Sequence, residues 1–473
     1  MHVAFTDLVV SNWRIRVVPT AAFAAFATFA QRALIFIFLA GAQPMLATSL
    51  PASLAAISPD VIHYDARLRP DLVNKTITGR ATLRIRSTQR DAFAITLDAG
   101  ALSVSSVRER ARALTFEKRN KQLIIRVPAA RAAAREITIE YSGAPKFGLN
   151  FLTDAEQIFT AFSTDEWMPC NSSPDDRATF HLALEVPRGF QVVANGDHIF
   201  DEVPPKKRGT HIVSHWQMND PQPAYVMGFA AGKFREVIDD VARPRLRYLV
   251  SSHFTDADIS TIFRETRDMI AYYERVSGIQ YPDNTYTQVL VQRGAAQEAA
   301  GFALMSDAYG RRVLADATNV WLAAHELSHQ WWGNRVTNVA WTEFWLNEGI
   351  ASFLNATYLE QRFGRAQYDH MIGLAQTKYE KIRADGVDKS LVFPDWNNPT
   401  AQDRSLVYDK GALVMHQLRK HMGETAFWDG LRLFTKRYWG RSVRSRDLQQ
   451  TMEIAAGQSL ETLFDEWVYL AKP

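Results

Sequence analysis

The sequence predicts an α+β protein of more than one domain: a β-rich sandwich or saddle, then a mostly helical domain. Three observations predict it. The chain has 473 residues, 47% hydrophobic and 22% charged, which allows large cores and a length prior of about three domains. The first half alternates apolar and polar residues in short runs set apart by turn residues, the period of strands. The second half changes to helical spacing.

The chain opens on a leader. Arg14 and Arg16 precede an apolar stretch, residues 17–30, which Gln31 and Arg32 interrupt before a second stretch, 33–42. Ala40, Gly41 and Ala42 have the small side chains of a cleavage site. Residues 1–47 are therefore expected to be a signal peptide, exporting the protein to the periplasm or the medium. The alternative is an uncleaved membrane anchor with the protein facing outside. Residues 17–42 are long enough to span a bilayer, although Arg32 is costly there. Residues 47–60 are rich in Ala, Ser and Pro and read as a linker.

Strands follow. In ATLRIRS, Ala81, Leu83 and Ile85 alternate with Thr82, Arg84 and Arg86, one face for a core and one for water. QLIIRV at 122–127, EITIEY at 136–141, HLALEV at 181–186 and GFQVVANG at 189–196 continue the pattern. A β domain over 48–240 is expected, and a helical domain over 241–473. The latter begins with one helix over 256–276, ended by Ser277 and Gly278, and a strand over 285–293.

Composition narrows the function. Net charge is +3 with a pI near 8.8, and the basic residues are dispersed. PPKKR at 204–208 reads as a solvated turn, and no nucleic-acid motif is present. Cys170 is the single cysteine, so no intrachain disulfide forms. It is expected to be a packed thiol.

Residues 325–348 read HELSHQWWGNRVTNVAWTEFWLNE. His325 and His329 stand four apart, so on a helix their imidazoles point the same way and can share a metal. Glu348 follows His329 after eighteen residues and lies on a second predicted helix, marked by Leu346, Ile350, Phe353, Leu354 and Tyr358. Two histidines and a carboxylate suit one zinc ion with a position left open; manganese and cobalt fit less well. Glu326 sits beside that position and can take a proton from water there. The spacing suits a zinc hydrolase.

These residues resemble the aminopeptidase N and leukotriene hydrolase family of zinc metallopeptidases, whose pattern is H-E-x-x-H, eighteen residues, then E within WLNEG. HYDARLRPDL at 63–72, WMPCNSSPDDRATFHLALEVP at 167–187, ANG at 194–196 and VYDKGA at 407–412 extend the resemblance over about residues 60–473. It implies a thermolysin-like catalytic domain acting on peptide substrates, with zinc on His325, His329 and Glu348 and Glu326 as general base. Tyr408 fills the place of the family's catalytic tyrosine, a hydrogen-bond donor to the oxyanion. The family recognises a free peptide N-terminus with G-x-M-E-N. Here the corresponding AAQEAAG, 295–301, keeps Glu298 and Gly301 but has Ala295, Gln297 and Ala299 for Gly, Met and Asn. Glu298 then pairs with the substrate's α-ammonium.

LFDEWVYLAKP at 463–473 resembles the end of the family's catalytic domain, so a two-domain member with an open cleft is expected. The degenerate Glu298 segment leaves a broader peptidase or endopeptidase as the rival. An epoxide hydrolase fits less well, because its carboxylate-holding groups belong to a further domain of the family. An inactive peptide-binding module would not need Glu326 and Tyr408. No feature of the sequence sets an oligomeric state.

Overall fold

The computed structural model describes residues 56–471 apart from 88–89, 131, 205–208, 295 and 394–398. The expected leader, 1–47, Ala295 and most of PPKKR lie outside the described residues. No described helix is long and apolar enough to cross a membrane.

An eight-stranded sheet dominates the N-terminal half. Its order is Asp197–Glu202, His211–Pro223, Arg177–Pro187, Asp60–Asp71, Thr76–Arg86, Ala134–Gly143, Ser103–Glu109 and Arg112–Ala113. The alternation places the faces: Ala81, Leu83 and Ile85 are buried while Arg84 and Arg86 are exposed. Two four-stranded sheets accompany it, and the one containing Gln157–Thr160 and Phe229–Gly232 leads toward the second half. Cys170 is buried in a backbone bridge with Asp98, and burial pushes its thiol well up, so it stays a packed thiol.

The second half opens on a sheet of Arg235–Asp239, Arg245–Val250, Thr285–Val291 and Phe302–Ser306, the last three parallel. The expected boundary at 240 falls in the turn after its first strand. This sheet is a wall shared by two cores. Val289, Val291, Phe302 and Leu304 pack into the N-terminal core, while Tyr286, Leu290, Ala303 and Met305 pack into the helical one. A parallel strand covered on both faces is buried along its length, as 286–291 are, and its end is the apolar run Val289, Leu290 and Val291.

Helices complete the fold: α1 Asp256–Ile262, α2 Thr266–Ser277, α3 Asp307–Ala315, α4 Trp321–Ser328, α5 Trp345–Phe363, α6 Arg365–Ala384, α7 Ala401–Ser405, α8 Gly411–Met422, α9 Glu424–Arg437, α10 Ser445–Ala456 and α11 Glu461–Phe464. The single helix expected over 256–276 is in fact two. The chain breaks at 263–265, where Phe263 stacks on Tyr248 at 4.3 Å and Glu265 accepts two hydrogen bonds from Arg362. Those long-range contacts outweigh continued helical hydrogen bonding. Gly278, at φ 68°, ends α2 in the left-handed conformation.

One ion pair ties the segment after α6 to the turn before α8. Lys410 and Asp388 are 3.0 Å apart and almost fully buried, with Lys410 Nζ also donating to the Lys389 carbonyl at 2.7 Å. Lys410→Met removes one partner and leaves a buried carboxylate. A loss of about 3–5 kcal/mol is expected, read from denaturant unfolding. A loss below about 1 kcal/mol would mean water reaches Asp388.

Candidate active site

Helix α4 carries His325 and Glu326, and His329 caps it. Trp321, Leu322 and Leu327 fasten it to the core. The two imidazoles project together: His325 Nε2 and His329 Nε2 are 3.1 Å apart. Helix α5 brings Glu348, whose Oε2 lies 3.2 Å from His325 Nε2 and 3.6 Å from His329 Nε2. One ligand atom from each of the three lies within 4.8 Å of the others, and all three residues are buried. His329 Nδ1 donates to the Trp332 carbonyl at 3.0 Å, which leaves Nε2 as the free ligand atom. Gly333 makes room for that ring: a Cβ there would sit 2.6 Å from His329 Nδ1.

The electrostatics ask for a cation. Burial lowers the His325 pKa. Burial alone would lower His329 too, but Glu348, Glu298 and Glu326 outweigh it and push it up to about 9. Burial would raise Glu348, yet His329 and its hydrogen bonds hold it well below the usual carboxylate range. Burial raises Glu326 and Glu298; His329 opposes it, while Glu348 adds to it at both and Glu298 adds to it at Glu326. Three buried carboxylates thus face two imidazoles whose ligand nitrogens nearly touch. A proton serves one nitrogen at a time, whereas a divalent ion satisfies both nitrogens and Glu348 together. His325, His329 and Glu348 fit one zinc ion.

Tyr408 lies on one turn of π-helix, Leu406–Lys410, a distortion common at functional sites. Its ring stacks on His325, with centroids 5.9 Å apart and planes 19° apart. Burial and the carboxylates of Glu348, Glu298 and Glu326 raise its pKa well above the ordinary phenol value, so it remains a donor. Gly349, beside Glu348, meets Gly411, three residues beyond Tyr408. A Cβ on Gly349 would lie 2.7 Å from Gly411 Cα, so α5 and α8 cross backbone to backbone. Gly349→Ala is expected to part them, costing about 1–3 kcal/mol and slowing turnover with metal content unchanged. Thermal unfolding and steady-state kinetics check this; a variant with full stability and rate would mean the crossing has slack.

Glu298 lines the same cavity and is only 3% exposed. Gln297, which occupies the degenerate motif, is a tie: its Nε2 donates to Glu298 Oε2 at 3.0 Å and its Oε1 accepts from the Phe162 backbone at 2.6 Å. Asn334 Nδ2 donates to the Glu298 carbonyl at 3.2 Å. Asn195 holds Ala300 and Val226 through their carbonyls. The N-terminal half therefore anchors this segment. Phe162 and Ser163 have φ of 53° and 44°, rare for non-glycine residues, and Phe162 lines the cleft. Tyr225 crosses the same junction, its hydroxyl bonded to Gly333, Thr337 and Asn347, the last one residue before Glu348. Sequence reasoning missed Phe162 and Tyr225, and gave no role to Gln297 or Asn195 although both lie in motifs it singled out; the φ > 0 pair and the long-range bonds leave no local pattern.

All six residues singled out in the sequence, His325, Glu326, His329, Glu348, Glu298 and Tyr408, line one cavity of about 350 Å³. Residues 60–226 match the Peptidase M1 N-terminal domain and residues 262–467 the Peptidase family M1 domain. The chain belongs to the M1 peptidase family. Among M1 relatives, it is 24% identical over 407 residues to the probable aminopeptidase 1 of Sulfurisphaera tokodaii, covering 80% of this chain and 49% of that one. To aminopeptidase N of Streptomyces lividans it is 27% identical, covering 67% of this chain and 37% of that one. The chain thus spans half or less of the length of these two relatives. The M1 fold is matched by a zinc metallopeptidase from Deinococcus radiodurans, TM-score 0.72 at 22% identity, covering 89% of this chain and 96% of that one. A mutant of that M1 enzyme, solved with a Tyr-Ser-Ala substrate, matches equally well, TM-score 0.72 at 22% identity over 88% of this chain and 95% of that one.

Proposed function

We propose that the chain is a zinc-dependent aminopeptidase that removes the N-terminal residue of peptides. The observation that carries this is Glu298, a buried carboxylate in the same cavity as the His325, His329 and Glu348 cluster. A carboxylate out of water next to a hydrolytic centre is costly unless a cation meets it, and a peptide's α-ammonium is such a cation. Zinc, held by His325, His329 and Glu348, supplies Lewis acidity that lowers the pKa of water and polarises a carbonyl.

The chain's own residues do the rest. Glu298 receives the ammonium and sets how far the peptide enters. Glu326 takes the proton of the attacking water and hands it to the leaving amine. The Tyr408 hydroxyl donates to the substrate carbonyl oxygen as it gains negative charge. The apolar walls from Trp321, Leu322, Met371 and Ile372 exclude water around these charges. The M1 membership and the peptide-bound structure of the Deinococcus relative support a peptide substrate.

The test is a pair of peptides, one with a free and one with an acetylated N-terminus, with a chelator control. Chelator-sensitive cleavage of the free form alone supports the proposal. Cleavage of both makes the chain a broader peptidase, and cleavage of neither makes it a binding module.

A further inference from the structure

The cavity does not stop at the histidines. It runs on between α5, α6 and α7 to Lys378, Lys381 and Arg404. Two of these three cations have anions of their own. Lys378 Nζ lies 3.2 Å from Asp409, and Lys381 Nζ lies 2.9 Å from Asp385. Arg404 differs: its Nε and Nη1 are buried and bonded to nothing among the described residues. Nor is a neighbouring carboxylate free to serve it among the described residues. Asp403, adjacent in sequence, is taken by Lys389 at 2.6 Å and by the Thr400 cap of α7. Asn355 lines the same extension, 3% exposed, with its Oδ1 also unpartnered.

Most of the surrounding wall is apolar, including Met371, Ile372, Ala375 and Ile382. Two guanidinium nitrogens and a buried amide oxygen left unmatched in such a wall are expensive to the free protein. Nε and Nη1 lie on different edges of the guanidinium, and a carboxylate at either edge would accept a charge-assisted hydrogen bond from one of them. Arg404 stands one helical turn before Tyr408, about 6 Å along the axis, and a peptide residue spans about 3.5 Å. An anion there belongs to a group one or two residues from the bond being cut.

We infer that Arg404 binds a carboxylate of the peptide substrate, with Asn355 as a polar companion. This rests on the aminopeptidase reading above and adds the substrate class: short peptides with a free C-terminus, or peptides with an acidic side chain beside the scissile bond. With Glu298 at one end and Arg404 further along the cavity, the cleft holds opposite charges at two points of one substrate.

Binding to the zinc-loaded Glu326→Gln protein, followed by calorimetry, tests it without turnover. The probes are Leu-Ala-Ala against its C-terminal amide, then Glu-Ala-Ala-amide against Gln-Ala-Ala-amide, and Leu-Glu-Ala-amide against Leu-Gln-Ala-amide. The acid member of one pair is expected to bind about tenfold or more tighter. Adding Arg404→Gln should erase that preference, while Arg404→Lys, which keeps the charge, should retain part of it. Preference in the first pair assigns the C-terminal carboxylate; preference in either of the others assigns the side chain. No discrimination in any pair, no binding by any probe, or discrimination that survives Arg404→Gln overturns the inference. Unfolding temperatures of both Arg404 variants verify that each is folded. Failure of the aminopeptidase reading shows elsewhere, as absent chelator-sensitive turnover by the chain with Glu326 intact.

Discussion

Glu326→Gln is expected to lower kcat by about 10²–10⁴-fold while zinc content stays at one per chain. The glutamine is isosteric, so α4 keeps its packing, and Glu326 is not among the three residues that cluster for the metal. What changes is proton transfer alone. The carboxylate that lines the cavity with the histidines and Glu298 becomes an amide that cannot take a proton from water. KM should change little, because no ground-state contact to the peptide is assigned to this group. Metal analysis and steady-state kinetics on one preparation separate the outcomes. Near-normal turnover would require another base, and the other cavity carboxylates have partners: Glu348 the imidazoles, Asp385 Lys381, Asp409 Lys378, and Glu298 the ammonium in the proposed reading. Loss of zinc together with activity would instead make Glu326 a ligand.

The second large effect falls on selection rather than on chemistry. Glu298→Gln is expected to lower kcat/KM for peptides with a free N-terminus by about 10–100-fold, the value of a hydrogen-bonded charge pair out of water. Acetylated peptides, cleaved slowly if at all, should be unaffected, so the ratio between the two substrates collapses. The substitution keeps the side chain's shape, and the backbone bond from Asn334 does not depend on the side chain. A ratio that survives the change would show that steric closure of the cavity, not charge, sets the register of the peptide.

Much of this site could be read from the sequence, and the parts that could not share a cause. His325, His329 and Glu326 are fixed by helical periodicity, a local property. Glu348 is legible because its spacing and the apolar stripe of α5 fall in one stretch of chain. Tyr408 and Glu298 needed the family resemblance, since nothing in their own neighbourhoods marks them. Arg404 and Asn355 were invisible for a further reason: what distinguishes them is a missing partner, and only the surrounding fold shows which partners are missing. The strands were readable because one face of the large sheet alternates strictly, as Ala81, Leu83 and Ile85 do. The break between α1 and α2 was not, because Tyr248 and Arg362, which cause it, lie 15 or more residues away in sequence.

The sheet that separates the two cores has a consequence for heredity. Cutting the chain between Gly232 and Arg235 would leave Val289, Val291, Phe302 and Leu304 on a bare apolar face. Such a fragment would associate with other surfaces before it worked as an enzyme. The Glu298 segment would also lose Asn195 and Phe162, and with them its fixed position. Recombination cannot therefore trade the N-terminal half as a cassette. A hybrid keeps its specificity only when the incoming half offers a face of matching shape, so the two halves are bound to drift together.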